Sequence, residues 1–540
     1  MHRGEKRTVV ANHSDVLIMG GGLAGLTVAI QLRRELPALS VRVLERNRHP
    51  VPVAAFKVGE STVEIGAHYL DTVLGLKPHL DAQQLRKFGF RFFFCEGRDD
   101  IDCTTELGVS RVFPTPSYQL DRGILENYLA EHAVALGAEF IDGTVVRWID
   151  LAENRSDHVV RYERDGAEHS IHARWLIDAS GHTGLLKRKL ALSETNAHDA
   201  NAIWFRIGER IAIDDWYDGA DWSSRCQPPE RWRSTNHLCG PGYWAWLIPL
   251  SSGSHSVGIV ADANLHPLET INSFDKSMTW FARHQPRLHL ELEKRRHLLQ
   301  DFMFQRHFSH GCKQVFSAQR WAITGIAGVF LDPFYSPGTD FIAIGNTYIT
   351  DLIARDSRGE PFAREARMFE QLYFSFYRNT LALYAGQYPM FGHAQLMPIK
   401  VVWDYAYYWG VLCQFFFQRR LTDIALFTRL SKPLATCEAL NRDVQLLLRR
   451  AAGSASGTTA QRMIDQCALP WFAELNSTLR DNLDAAAVQR RIEHNVSMLV
   501  ALAAEIVRCT RLINPVACDD LPALASLRDE DALNLLRYAA

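Results

Sequence analysis

The chain has 540 residues, with 59 Lys and Arg against 61 Asp and Glu and a formal net charge of −2. That length allows two or three packed cores, and the balanced charge excludes the basic footprint of a nucleic-acid binder. Ten cysteines are scattered with no C-x-x-C pair and no His/Cys ligand spacing, which argues against structural zinc and for free thiols in a reducing, cytoplasmic setting.

The polar start, Met1–Thr8, reads as a lead into the first strand and not as a signal peptide. Asp15-Val-Leu-Ile-Met-Gly20-Gly-Gly22-Leu-Ala-Gly25 follows, and then the helix-forming run Leu26–Glu35. An apolar strand feeds a glycine turn and a helix. Gly20, Gly22 and Gly25 fit G-x-G-x-x-G: a tight turn, close backbone approach to a pyrophosphate, and close helix–strand packing. Free N–H groups at the helix start then attract phosphate. Ser40–Glu45 reads as the next strand, and Glu45 lies twenty residues beyond Gly25, placed to accept hydrogen bonds from a ribose. Strand, glycines, helix, strand and acid in that order predict a dinucleotide site.

Later, Gly242-Tyr-Trp-Ala-Trp-Leu-Ile-Pro249 alternates as a strand with Trp244, Trp246 and Ile248 on one face and Tyr243, Ala245 and Leu247 on the other. Pro249, with no ladder donor, ends it. Alone this is a buried aromatic strand; beside a dinucleotide site it becomes a wall that can fence off a reactive cofactor. Pro228-Pro229 and Ser251–Ser254 mark loops in the same region. Val401–Phe417 is aromatic and apolar, but Asp404 and Gln414 interrupt a run already short for a membrane span. It is expected to form a buried or lid helix over an aromatic pocket, with a membrane-surface helix as the alternative. From Asp351 onward helical spacing dominates, as in Leu475–Leu483 and Ile492–Val500, and Ala451–Thr459 is the clearest loop.

With both signals in view, the chain resembles the flavin-dependent halogenases over roughly its first two-thirds, closer to the phenol- and pyrrole-type members. Gly59-Glu60-Ser61, Gln119–Glu126 with Arg122, Trp175–Gly181 with Asp178 and Gly181, and Phe330–Gly338 with Asp332 look like family segments that touch FAD. W-x-W-x-I-P is the specific motif; the others are shared with flavin hydroxylases. The resemblance implies a catalytic lysine, matched by Lys87 ahead of the aromatic stretch Phe88–Phe94, and Arg86 beside it cannot substitute because a guanidinium stays protonated. It also implies halide contacts in Ser336, Gly338 and Thr339. Two departures stand out: Tyr335 replaces the glutamate of tryptophan-type members, and Pro337 has no N–H to offer a halide.

The expected fold is mixed α/β: a Rossmann-type FAD-binding domain from segments at about 1–70, 140–190 and 315–355, an inserted mixed sheet from about 85–135 and 195–310, and a helical region over 356–540. The implied reaction uses reduced FAD, oxygen and chloride or bromide to make hypohalous acid, which Lys87 delivers to an electron-rich phenolic or pyrrole-like ring, free or carrier-bound. With no second glycine motif for NAD(P)H, a separate flavin reductase is expected to supply reduced FAD. Two rivals remain open: an FAD-dependent monooxygenase that uses no halide, and a silent FAD-binding scaffold that docks a carrier protein. No resident metal is expected.

Overall fold

The computed structural model describes residues 12–536 apart from 55, 154–155, 454–461, 516–517, 519, 529–531 and 533–534. The Met1–Thr8 start and most of the Ala451–Thr459 loop lie outside the described residues.

Two sheets organise the molecule. The first has seven strands. Its path runs Glu139–Ile141, Val41–Leu44, His13–Met19, Ala167–Asp178, His158–Arg164, Thr144–Asp150, and Trp321–Ile323 also pairs with Ala167–Asp178. His13–Met19 lies parallel to both neighbours, with Met19 opposite Asp178 and Leu44. Val16, Leu17 and Ile18 are fully buried, as a strand covered on both faces requires. The helix Leu23–Glu35 springs directly from this strand.

The second sheet has eight strands in the order Leu299–Gln305, Ala200–Ile207, His255–Asp262, Tyr243–Pro249, Thr235–Gly240, Phe90–Phe94, Thr105–Gly108 and Arg462–Asp465. It is mixed: Thr235–Gly240 pairs parallel with Phe90–Phe94, and Arg462–Asp465 pairs parallel with Thr105–Gly108. Tyr243, Ala245 and Leu247 face a core with Phe281, Leu288 and Leu292, from the helices Phe274–His284 and Pro286–Lys294. The opposite face, with Trp244 and Trp246, looks toward the first sheet's core.

Helices then run from Gly338 to Ala525, broken by the short strand at Arg462–Asp465. The Leu475–Leu483 segment is not one helix. Its α-turns stop at Ser477, and Asp484 caps a new helix, Ala485–Ile513, by accepting from the Ala487 N–H at 2.7 Å. Among the described residues no helix is long and apolar enough to cross a membrane. Val401–Phe417 is instead a buried helix carrying a π-type turn at Tyr408–Leu412, and its interrupting Asp404 is ion-paired to Lys400 at 2.7 Å.

Candidate active site

A cavity of about 550 Å³ opens between the two sheets, beside the glycine turn. Gly20 adopts φ +117°, and a Cβ there would lie 2.3 Å from the Ala179 carbonyl oxygen. A Cβ on Gly25 would sit 1.9 Å from the Gly20 oxygen, so this glycine lets the helix close on the strand. Gly22 has open space before it and lines the cavity with Leu23 and Ala24. The cradle therefore accepts a pyrophosphate against the helix N-terminus, and the residues present fit FAD.

Glu45 and Asp178 work differently from their neighbours in the motif. The Glu45 carboxylate accepts from the backbone N–H groups of Gly21 at 2.6 Å and Asn47 at 2.7 Å, holding the turn. Asp178 accepts from Ser180 N–H, Ser180 Oγ and Leu186 N–H, closing the loop that presents Ala179 and Gly181. Neither acid lines the cavity, whereas Gly181, Gly59, Glu60, Ser61 and Arg122 do. Arg122 donates to the Val58 carbonyl at 2.9 Å and pairs with Glu126, which also holds Lys57. Arg206, unremarked in the sequence, holds buried Glu60 through a 2.6 Å hydrogen bond.

The tryptophan wall stands where the alternation places it. Trp244, Trp246 and Ile248 line the cavity, with the two indole rings 5.6 Å apart. Trp246 Nε1 donates to Ser256 Oγ at 3.1 Å, and Trp244 Nε1 donates to the Tyr388 hydroxyl at 2.9 Å. Tyr388 in turn donates to Asp332, which also bonds His198 at 2.7 Å and caps Phe334 N–H at 2.9 Å. Ser336, in the left-handed region at φ +53°, turns the chain into Pro337 and the helix Gly338–Ser357. Ser336, Gly338 and Thr339 line the cavity, and the first N–H groups of that helix have no internal partner.

A second cavity of about 310 Å³ adjoins the first, with Pro337 and Phe341 lining both. Tyr335, Tyr384, Tyr405, Tyr407 and Tyr408 line it, together with Asp340 and Asp404. Asp404 is saturated: it accepts from Lys400 and Tyr335 at 2.7 Å and from Gln445 at 2.6 Å. Asp340 accepts from Gly66 N–H at 2.8 Å and from the Tyr408 hydroxyl at 2.7 Å, with no cation hydrogen-bonded to it. Burial pushes its carboxyl up to about 8.

Lys87 is buried and lines neither cavity, though Ser61 lines the first and Val63 the second. Its Nζ donates to Ser61 Oγ at 3.0 Å and the Thr62 carbonyl at 3.1 Å, and lies 3.2 Å from the Phe90 ring centroid. Burial pushes the amine well below its ordinary value, with the charges of Glu64 and Asp340 opposing. A lysine one hydroxyl from the first cavity, and in the electrostatic field of an acid lining the second, is not a solvated surface lysine. Asp340 and Glu64 escaped the sequence reading; the one local signal for Asp340 was its place two residues after Gly338. Among the described residues no cluster of His, Cys, Asp or Glu is arranged to hold a metal, and all ten cysteines are free.

Fold and site together define an FAD-dependent oxidoreductase, and the model of the FAD binding domain matches residues 13–236. The chain is 26% identical over 436 residues to a flavin-dependent halogenase of Dictyostelium discoideum, covering 75% of this chain and 71% of that protein. It is 28% identical over 333 residues to a 1H-pyrrole-2-carbonyl-(peptidyl-carrier protein) brominase of Pseudoalteromonas luteoviolacea, covering 61% and 74%. Among solved structures, halogenase PltM in complex with phloroglucinol and FAD shares the fold, with a TM-score of 0.68, 17% identity and coverage of 94% of this chain and 98% of that one. The proteins this chain resembles in sequence are thus flavin-dependent halogenases, and it shares the fold of one.

Proposed function

We propose that the chain halogenates an electron-rich phenolic or pyrrole-like ring in secondary metabolism, using reduced FAD, oxygen and chloride or bromide. The observation that carries this reading is the pair of adjoining cavities, with buried Lys87 hydrogen-bonded to Ser61 of the first and in the field of Asp340 of the second. Bound reduced FAD, with oxygen, supplies the oxidant that converts halide into hypohalous acid. Trp244 and Trp246 keep the organic substrate off the cofactor. The N–H groups of Gly338 and Thr339, at a helix N-terminus, attract the halide even though Pro337 gives none.

The substrate ring occupies the tyrosine-lined cavity, where aromatic walls favour a flat ring by edge and face contact. Lys87 receives hypohalous acid and aims the halogen at the ring. A ring carbon takes the halogen as the O–X bond breaks. Asp340 is the proton acceptor: it removes the ring proton and returns it to the departing oxygen, which leaves as water. Reduced FAD comes from a separate flavin reductase, and the ring arrives free or on a carrier protein.

The test is mass spectrometry of products from the purified protein with a flavin reductase, FAD, oxygen, bromide and a pool of phenols and pyrroles. A bromine isotope doublet that disappears in Lys87→Ala is the expected result. Hydroxylated products without bromine would replace this reading with a halide-free monooxygenase.

A further inference from the structure

Between the larger cavity and Lys87 stands a partition of aromatic rings, and one polar side chain in it has no partner. His237 sits within the Thr235–Gly240 strand, fully buried, and lines the larger cavity. Its ring centroid lies 4.7 Å from that of Phe92, 4.9 Å from Trp244 and 5.3 Å from Phe90. Phe90 is the ring over which Lys87 Nζ is placed, so one phenyl group joins the imidazole to the amine.

Neither ring nitrogen of His237 makes a hydrogen bond. Other polar groups of the partition are engaged: Trp244 Nε1 with Tyr388, and the Ser61 hydroxyl with both Lys87 and Thr235. Burial first, then the Lys87 charge, pushes the imidazole down to about 3, and the nearby carbonyls of Arg91, Phe334 and Thr235 oppose this without closing a hydrogen bond. The ring is therefore neutral at working pH, with one N–H donor and one bare acceptor nitrogen. A phenyl ring would fill the same aromatic site without the desolvation cost of an orphaned polar group.

We propose that His237 is the hand-over point for hypohalous acid, its imidazole hydrogen-bonding the molecule as it passes from the larger cavity to Lys87. The proposal rests on the halogenase reading above. Hypohalous acid has one O–H donor and oxygen lone pairs, which complement the one acceptor and one donor of the imidazole. No bond to His237 forms or breaks, so the ring guides the molecule and is not consumed.

The experiment measures how bromine partitions between a phenol substrate and a diffusible β-diketone that traps escaped hypobromous acid, with reductase, FAD, oxygen and bromide present. In His237→Phe the ratio of trapped to substrate-bound bromine should rise about tenfold, roughly the worth of one neutral hydrogen bond. His237→Gln, which keeps a donor and an acceptor, should restore part of the wild-type ratio. Thermal melting separates this from damage to the fold, because His237→Phe should melt at or above the wild-type temperature. Should His237→Phe fail to fold, the ratio in His237→Gln set against His237→Leu decides. A wild-type ratio in the apolar variants overturns the assignment of His237. Bromine in neither phenol nor trap with the wild-type protein overturns the halogenase reading itself.

Discussion

Asp340 lies on the first turn of the Gly338–Ser357 helix, where the helix dipole ordinarily keeps a carboxylate ionised. Burial outweighs the dipole here and pushes the acid up to about 8 from an ordinary 3.8. A base must be deprotonated to act, so turnover should climb with pH through about 8. Asp340→Asn should flatten that profile and lower turnover about 100-fold, within the usual range for loss of a general base. The same shift bears on stability. Because the folded value exceeds the unfolded one, the group's stability contribution is complete below pH 3.8 and is lost as pH rises toward about 8. Asp340→Asn should therefore melt above wild type at pH 9, with the gap closing toward pH 4, as calorimetry across that range would show. Apart from its place two residues after Gly338, nothing local in the sequence announces Asp340. Gly338 and Thr339 could be read from their motif, but the environment of Asp340 comes from Gly66, Tyr408 and Lys87, which no spacing rule connects.

Elements were easier to read than residues, because turn chemistry and side-chain alternation are local. The glycine turn and the tryptophan strand fall where their patterns put them, and Pro249 does end its strand. Gly25→Ala should cost about 3 kcal/mol through overpacking, since the new methyl would meet the Gly20 carbonyl. Flavin absorbance retained after desalting and a lowered melting temperature would report it. The alternation at Tyr243–Pro249 also predicted which side chains face the cavity. What holds them was hidden: Tyr388, which bonds Trp244, lies far along the chain, and Ser256, which bonds Trp246, comes from the neighbouring strand. The break after Ser477 shows the converse limit, because apolar spacing continues through a segment where Asp484 starts a new helix. At Val401–Phe417 the interrupting acid was itself the clue, and Asp404 is the anchor for Tyr335 in the second cavity.

At the scale of the whole molecule, the helical C-terminal part completes what the sheets begin. It supplies Tyr388 to the tryptophan wall, Tyr405 and Tyr408 to the second cavity, and Arg462–Asp465 to the edge of the eight-stranded sheet. A chain ending at residue 355 should therefore lack ordered aromatic packing even where its first sheet forms, giving weak near-ultraviolet circular dichroism and poor solubility. The edge pairing also bears on the order of events during synthesis. Thr105–Gly108 receives its parallel neighbour Arg462–Asp465 from about 350 residues further on. At about 5–20 residues per second, a ribosome needs roughly 20–70 s to deliver that strand. For all that time one edge of the eight-stranded sheet is unpaired, a template for another nascent chain. The last strand to arrive is thus a timed closure, and the yield of native protein should depend on how long the edge waits.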